Sequence, residues 1–162
     1  MRPRARRVAC WLAGGWAGLI AGIGFVAAPA LFTTLARSDA GRVAARLFAI
    51  DAYFGLALGG VVLVFALREA HDRSDAGSRF SAEMMLALAA LFCVVAGHFA
   101  LQPMIEAARS GAAGVSFAVL HGVASAFFLV KFVVVAALAW RLTAAPLPAP
   151  ARVAATAAAP PS

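Results

Sequence analysis

Apolar positions along this chain gather into four long runs, and the charged positions fall mostly between them. Roughly 20 consecutive apolar residues carry a helix across the hydrocarbon core of a bilayer. Residues 8–35, 47–67, 84–105 and 115–140 meet that length and predict four transmembrane helices. Each run is continuously apolar and lacks the period-2 alternation of a barrel strand, so the expected fold class is all-α, a four-helix transmembrane bundle. Residues 1–7 form a basic N-terminal segment, 8–142 the membrane domain, and 143–162 an alanine- and proline-rich tail. The tail has no apolar face to bury and is expected to be disordered. A cleaved signal peptide is the competing reading of the first run, since MRPRARR precedes it and Ala28, Pro29 and Ala30 offer small residues. The run is longer than the usual h-region of about 7 to 15 residues, which favours a spanning helix.

Composition agrees with placement in lipid. Of the 162 residues, 64% are hydrophobic and 13% charged, with a mean hydropathy of +0.90; soluble domains are about half apolar. The net charge of +7 does not point to nucleic acid, because the arginines cluster at the ends of the apolar runs, where they anchor and orient helices. Arg2, Arg4, Arg6, Arg7, Arg68, Arg73, Arg79, Arg141 and Arg152 share one side. They outnumber Arg37, Arg42, Arg46 and Arg109 on the other. The positive-inside rule then places both termini in the cytoplasm, with the protein in the cytoplasmic (inner) membrane if bacterial. Cys10 and Cys93 fall at different depths and are expected to be free.

Small residues predict how the helices meet. Gly14, Gly18 and Gly22 in helix 1, Gly55 and Gly59 in helix 2, and Ala118, Gly122 and Ala126 in helix 4 repeat at four-residue spacing. Such stripes let helices approach closely, within one bundle or across a homodimer. Pro29 and Pro103 each remove a backbone hydrogen bond and are expected to bend or end helices 1 and 3. Around them Phe25-Val-Ala-Ala-Pro29 echoes Phe99-Ala-Leu-Gln-Pro103, and Ala-Arg-Ser recurs at 36–38 and 108–110. Two hairpins in the same orientation, a parallel repeat, would produce that echo.

A few polar residues interrupt the runs. With ~1.5 Å rise per residue, Asp51 lies about 7 Å from the outer end of helix 2, His98 about 11 Å in on helix 3 and His121 about 9 Å in on helix 4. Gln102 is one turn from His98, and Ser125 one turn from His121. Ionisable groups inside spans face the bundle interior or a water-filled cavity, so these five predict a polar pocket opening outward. Lys131 lies deeper and either snorkels to the cytoplasmic headgroups or reaches Asp51 as an internal ion pair. His98, His121 and Asp51 are also candidate metal ligands, and the two histidines candidate haem ligands, although H-x-x-x-H and C-x-x-C spacings are lacking. No P-loop, dinucleotide fingerprint or nucleophile motif occurs, so no enzyme activity and no cofactor is expected.

The segments FVAAPALFTTL (25–35), RLFAIDAYFG (46–55) and FAVLHG (117–122) with Ser125 resemble the transmembrane protein 205-like family, whose bacterial branch is termed a domain of unknown function. Pro29, Leu31, Phe32, Leu35, Leu47, Phe48, Phe117, His121, Gly122 and Ser125 are the matching positions. The resemblance implies a four-helix membrane protein without established activity. Sequence reasoning therefore favours a non-enzymatic membrane protein that binds a small ligand, proton or cation. A metal- or haem-dependent redox protein and a purely structural or interaction protein are the alternatives.

Overall fold

The computed structural model describes residues 3–72, 81–111 and 114–144, and the described residues are almost entirely helical. Four helical rods are long and apolar enough to cross a membrane: Arg4–Thr34, Arg37–Arg68, Ala82–Arg109 and Phe117–Thr143. The protein is a multi-pass membrane four-helix bundle. The first rod comprises α1 (Pro3–Ala21), a π-helical turn (Gly22–Ala27) and α2 (Ala28–Thr34). α3 (Arg37–Asp72) is unbroken. The third rod repeats the plan of the first, with α4 (Ala82–Val94), a π-helical turn (Val95–Ala100) and α5 (Leu101–Arg109); α6 (Phe117–Thr143) is again unbroken. Residues 145–162 of the expected tail and 73–80 of the 68–83 loop lie outside the described residues.

Local chemistry sets the helix ends. The Ser81 hydroxyl accepts from Met84 N at 3.1 Å, and the Ser116 hydroxyl accepts from Val119 N at 3.4 Å, each satisfying an otherwise orphaned donor of a first turn. α5 stops where Gly111 takes φ 77°, the left-handed position that glycine occupies without a side-chain clash. At the other end of the bundle Arg6 caps α6. Its Nε donates to the Leu142 carbonyl at 3.1 Å, and its Nη2 to the carbonyls of Arg141, at 3.1 Å, and Ala144. A residue expected only to anchor the chain at headgroups thus neutralises the carbonyl end of a neighbouring helix.

Three expectations need correction. Arg37, Arg42 and Arg46 lie on the first turns of α3, not in a loop. Ala40 and Ala44 are buried there, so strong helix formers with a packed face carry the helix well beyond the apolar run that begins at Leu47. Pro29 and Pro103 do not end their helices. In each case the residue four positions back, Phe25 or Phe99, sits in the π turn. There the amides of Ala28 and Leu101 reach back five residues to the Ile23 and Ala96 carbonyls, which widens the turn where a proline ring would otherwise collide. Finally, a Cβ added at Gly14, Gly18, Gly22 or Gly122 would meet nothing within 4 Å, so among the described residues these glycines pack against no other helix. α1 instead buries Ala9, Ala13, Trp16 and Ile20. Of the expected packing glycines, Gly55 and Gly59 do meet neighbours: a Cβ at Gly59 would lie 2.8 Å from Leu91 and 3.0 Å from Trp16.

Around the bundle each helix neighbours the next, and α6 closes against α1. Two layers fill the half that carries the termini: Ala9, Ala13, Val62, Ala87, Leu138 and Leu142 near the end, then Trp16, Ile20, Ala52, Ala90, Val94 and Val135 toward the middle. Beyond that level the packing changes. α2 lies against α3, and α5 against α6, while α2 approaches neither α5 nor α6. The bundle splays into two hairpins, and the candidate site lies between them.

Candidate functional site

The site begins at the centre of the bundle. Asp51 is 1% exposed and Lys131 5%, and Lys131 Nζ donates to Asp51 Oδ2 in a buried ion pair. α3 and α6 occupy opposite corners and their backbones do not approach each other, so the lysine stem crosses the bundle to reach the carboxylate. Each residue lies near the middle of its span, which puts them at one level. The ammonium also sits 4.8 Å from the Phe128 ring centroid, a cation–π contact that gains strength in a desolvated place. Phe128 is held edge-on by Phe48 at 5.2 Å. Snorkelling of Lys131 is thereby overturned, and the internal ion pair is the arrangement present.

Above this pair the two hairpins enclose a cavity of about 570 Å³. Asp51, Lys131, His98, Gln102, His121 and Ser125 all line it, so the five candidate residues share one space together with the lysine. Phe25, Phe32, Phe48 and Phe128 supply aromatic wall, and Arg109 stands at the far end, over the Phe117 ring at 5.2 Å. The candidates do not share one layer as the depth estimate implied, because α3 begins earlier than the apolar run and Asp51 drops to the cavity floor.

Each polar group has a definite setting. His98 meets Tyr53 at 6.3 Å and Phe99 at 5.0 Å, both edge-to-face. His121 stacks on Phe117 of its own helix at 5.6 Å. The Ser125 hydroxyl donates to the His121 carbonyl at 2.9 Å, and Thr33 and Thr34 bond the Ala30 carbonyl at 2.9 and 2.8 Å. These hydroxyls are thus occupied by their own helices and not held as nucleophiles. Asp51 Oδ1 differs from all of them: it is buried and has no hydrogen-bond partner. An unpaired carboxylate oxygen in such a place costs on the order of 1–3 kcal/mol, and more when charged. Among the described residues no three His, Cys, Asp or Glu side chains converge as a metal-ligand set. The candidate ligands His98, His121 and Asp51 thus share the cavity without converging as a three-ligand set.

A family model described as a domain of unknown function, DUF4149, matches residues 11–114. The chain belongs to this family. No curated protein and no solved structure matches the chain. The matched residues take in most of the first span and all of the second and third of this DUF4149 member, and stop before α6. Asp51, His98 and Gln102 thus fall inside the match, and His121, Ser125 and Lys131 beyond it.

Sequence reasoning missed Gly24 and Gly97. A Cβ at Gly24 would lie 2.4 Å from the Phe128 ring, and one at Gly97 would lie 3.2 Å from Phe127. Both glycines sit in π turns and admit an α6 phenylalanine next to the Asp51–Lys131 level. Their position five or six residues before the prolines is visible in the sequence, but only the turn geometry shows that they face α6.

Proposed function

We propose that this DUF4149 member is a non-enzymatic membrane binding protein whose inter-hairpin cavity takes a small molecule that donates a hydrogen bond to Asp51. The observation that carries this reading is Asp51, which lines the floor of a cavity of about 570 Å³ and whose Oδ1 is buried without a hydrogen-bond partner among the described residues. That volume lies in the range of about 300–1,000 Å³ typical of small-molecule sites, and an apolar wall with a few polar groups is their usual composition. A donor from the ligand satisfies the free oxygen while Lys131 keeps the other. His98, Gln102 and Lys131 offer further polar contacts near the floor, and His121 and Arg109 offer them higher up.

On the α6 wall, Phe117, His121, Gly122 and Ser125 carry the likeness to the transmembrane protein 205-like group, which implies a four-helix membrane protein and no particular activity. The test is thermal unfolding of the purified protein with a panel of small alcohols, amines and carboxylates. A ligand that binds only the folded state raises its stability by about 2.7 kcal/mol at one hundred times its dissociation constant. Donor-bearing compounds are expected to raise the midpoint of wild type and not that of Asp51→Asn. Equal shifts in both proteins, or none in wild type, would sink the proposal. Elemental analysis for iron, copper and zinc on untagged protein decides the redox alternative, and a stoichiometric metal would favour it.

A further inference from the structure

Resting on that reading, we infer that the ligand is a neutral, lipid-soluble alcohol or phenol that enters sideways from the bilayer, through the gap between α2 and α6. The cavity has two flanks between the hairpins, and they are closed to different degrees. On the α3–α5 flank, side chains bridge. Low down, Tyr53 meets the rings of His98 and Phe99 in the π turn before α5, and above it the Arg109 guanidinium reaches Gly41 of α3, 3.7 Å from where a Cβ would be. On the opposite flank the only ring contact among the described residues is low down, at the π turn before α2, where Phe25 meets Phe132 at 5.4 Å. Above it, among the described residues, no hydrogen bond, ion pair or ring contact joins α2 to α6, and their backbones do not approach.

The rims of this gap are cavity residues: Ala28, Pro29 and Phe32 on α2, and His121, Ser125 and Leu129 on α6. Around them Phe25, Val26, Phe32, Val119 and Leu129 are exposed. In a spanning helix such residues face acyl chains, so the opening gives onto lipid rather than water. A molecule using it must already be dissolved in the membrane.

The head group follows from charge. The cavity holds one carboxylate, Asp51, against two fixed cations, Lys131 and Arg109. A cationic ligand at the free Asp51 oxygen would lie beside Lys131 in a low-dielectric place, where like charges repel strongly. A carboxylate or phosphate would meet the acceptor Asp51 instead of a donor. A neutral hydroxyl donates to Oδ1 without adding charge, and the phenylalanine walls accommodate its apolar body.

The test uses a phenol with a dodecyl chain and a ring-proximal diazirine, dissolved in phosphatidylcholine nanodiscs that hold the full chain. Photolysis at increasing times, with peptide mapping, gives the rate and place of labelling. Wild type is expected to be labelled on the cavity wall, and the analogous alkylammonium and alkylcarboxylate probes at least about tenfold less, a discrimination of about 1.4 kcal/mol. Ser125→Trp and Ala28→Trp narrow the gap from opposite rims, and the serine hydroxyl serves only its own helix. Each is expected to slow cavity labelling about tenfold or more, as obstructed access lowers the on-rate. Helix content and monodispersity establish that both variants are folded. Cavity labelling unchanged in both tryptophan variants overturns lateral entry while leaving the binding site standing. No cavity labelling of wild type by any probe overturns the binding reading itself, and stronger labelling by a charged probe overturns the choice of head group.

Discussion

At the scale of single residues, the bundle turns on one carboxylate and one ammonium. Removing either partner of a buried pair strands the other, which costs about 3–5 kcal/mol, whereas replacing both with apolar residues of similar size is often neutral or better. Lys131→Met is therefore expected to destabilise the protein by about that amount in a denaturant titration in detergent, and Asp51→Leu with Lys131→Met to recover most of it. A double variant as unstable as the single one would show that the pair is not the source of the loss. The sequence made Asp51 and Lys131 visible as polar interruptions, since each stands in a run of apolar neighbours. Their pairing was legible only as one of two options. Depth was counted from the edge of the apolar run at Leu47, while α3 starts at Arg37, and a diagonal contact across the bundle leaves no local spacing to read.

At the scale of elements, the two π turns deserve the closest comparison, because the first and third rods carry them at matching places before Pro29 and Pro103. The echo in the sequence becomes a shared construction: a wide turn, a proline just after it, and a glycine that lets α6 approach. Each π turn interrupts the regular i→i+4 ladder of its rod, and such turns concentrate at functional places. Amides of Gly22–Ala27 and Val95–Ala100 are expected to exchange with deuterium faster than those of α1 and α4 in nanodiscs. Uniform protection along each rod would contradict this. The helices themselves were legible because continuous apolar runs admit no other structure in lipid. The glycine stripes misled because four-residue spacing describes a smooth face without saying which way it points. In α1 the face with Trp16 and Ile20 goes inward, and that choice depends on the partners.

For the whole molecule, four spans put both termini on one side, and we propose from the arginine placement that this side is cytoplasmic. A cysteine introduced at Val115, in the connection before α6, is then expected to react with a membrane-impermeant maleimide on intact cells, after Cys10 and Cys93 are replaced by serine. Reaction only after cell rupture would reverse the orientation. The packed half and the splayed half meet at the Asp51–Lys131 level, so the pair ties the hairpins together at the point where they part. That arrangement also orders the birth of the molecule. A chain is made from its N-terminus, and the first hairpin reaches the bilayer with Asp51 but without its cation, which arrives only on the last helix. Until α6 is inserted, the Asp51 carboxylate stands in mid-membrane without the ammonium that pairs with it in the finished bundle.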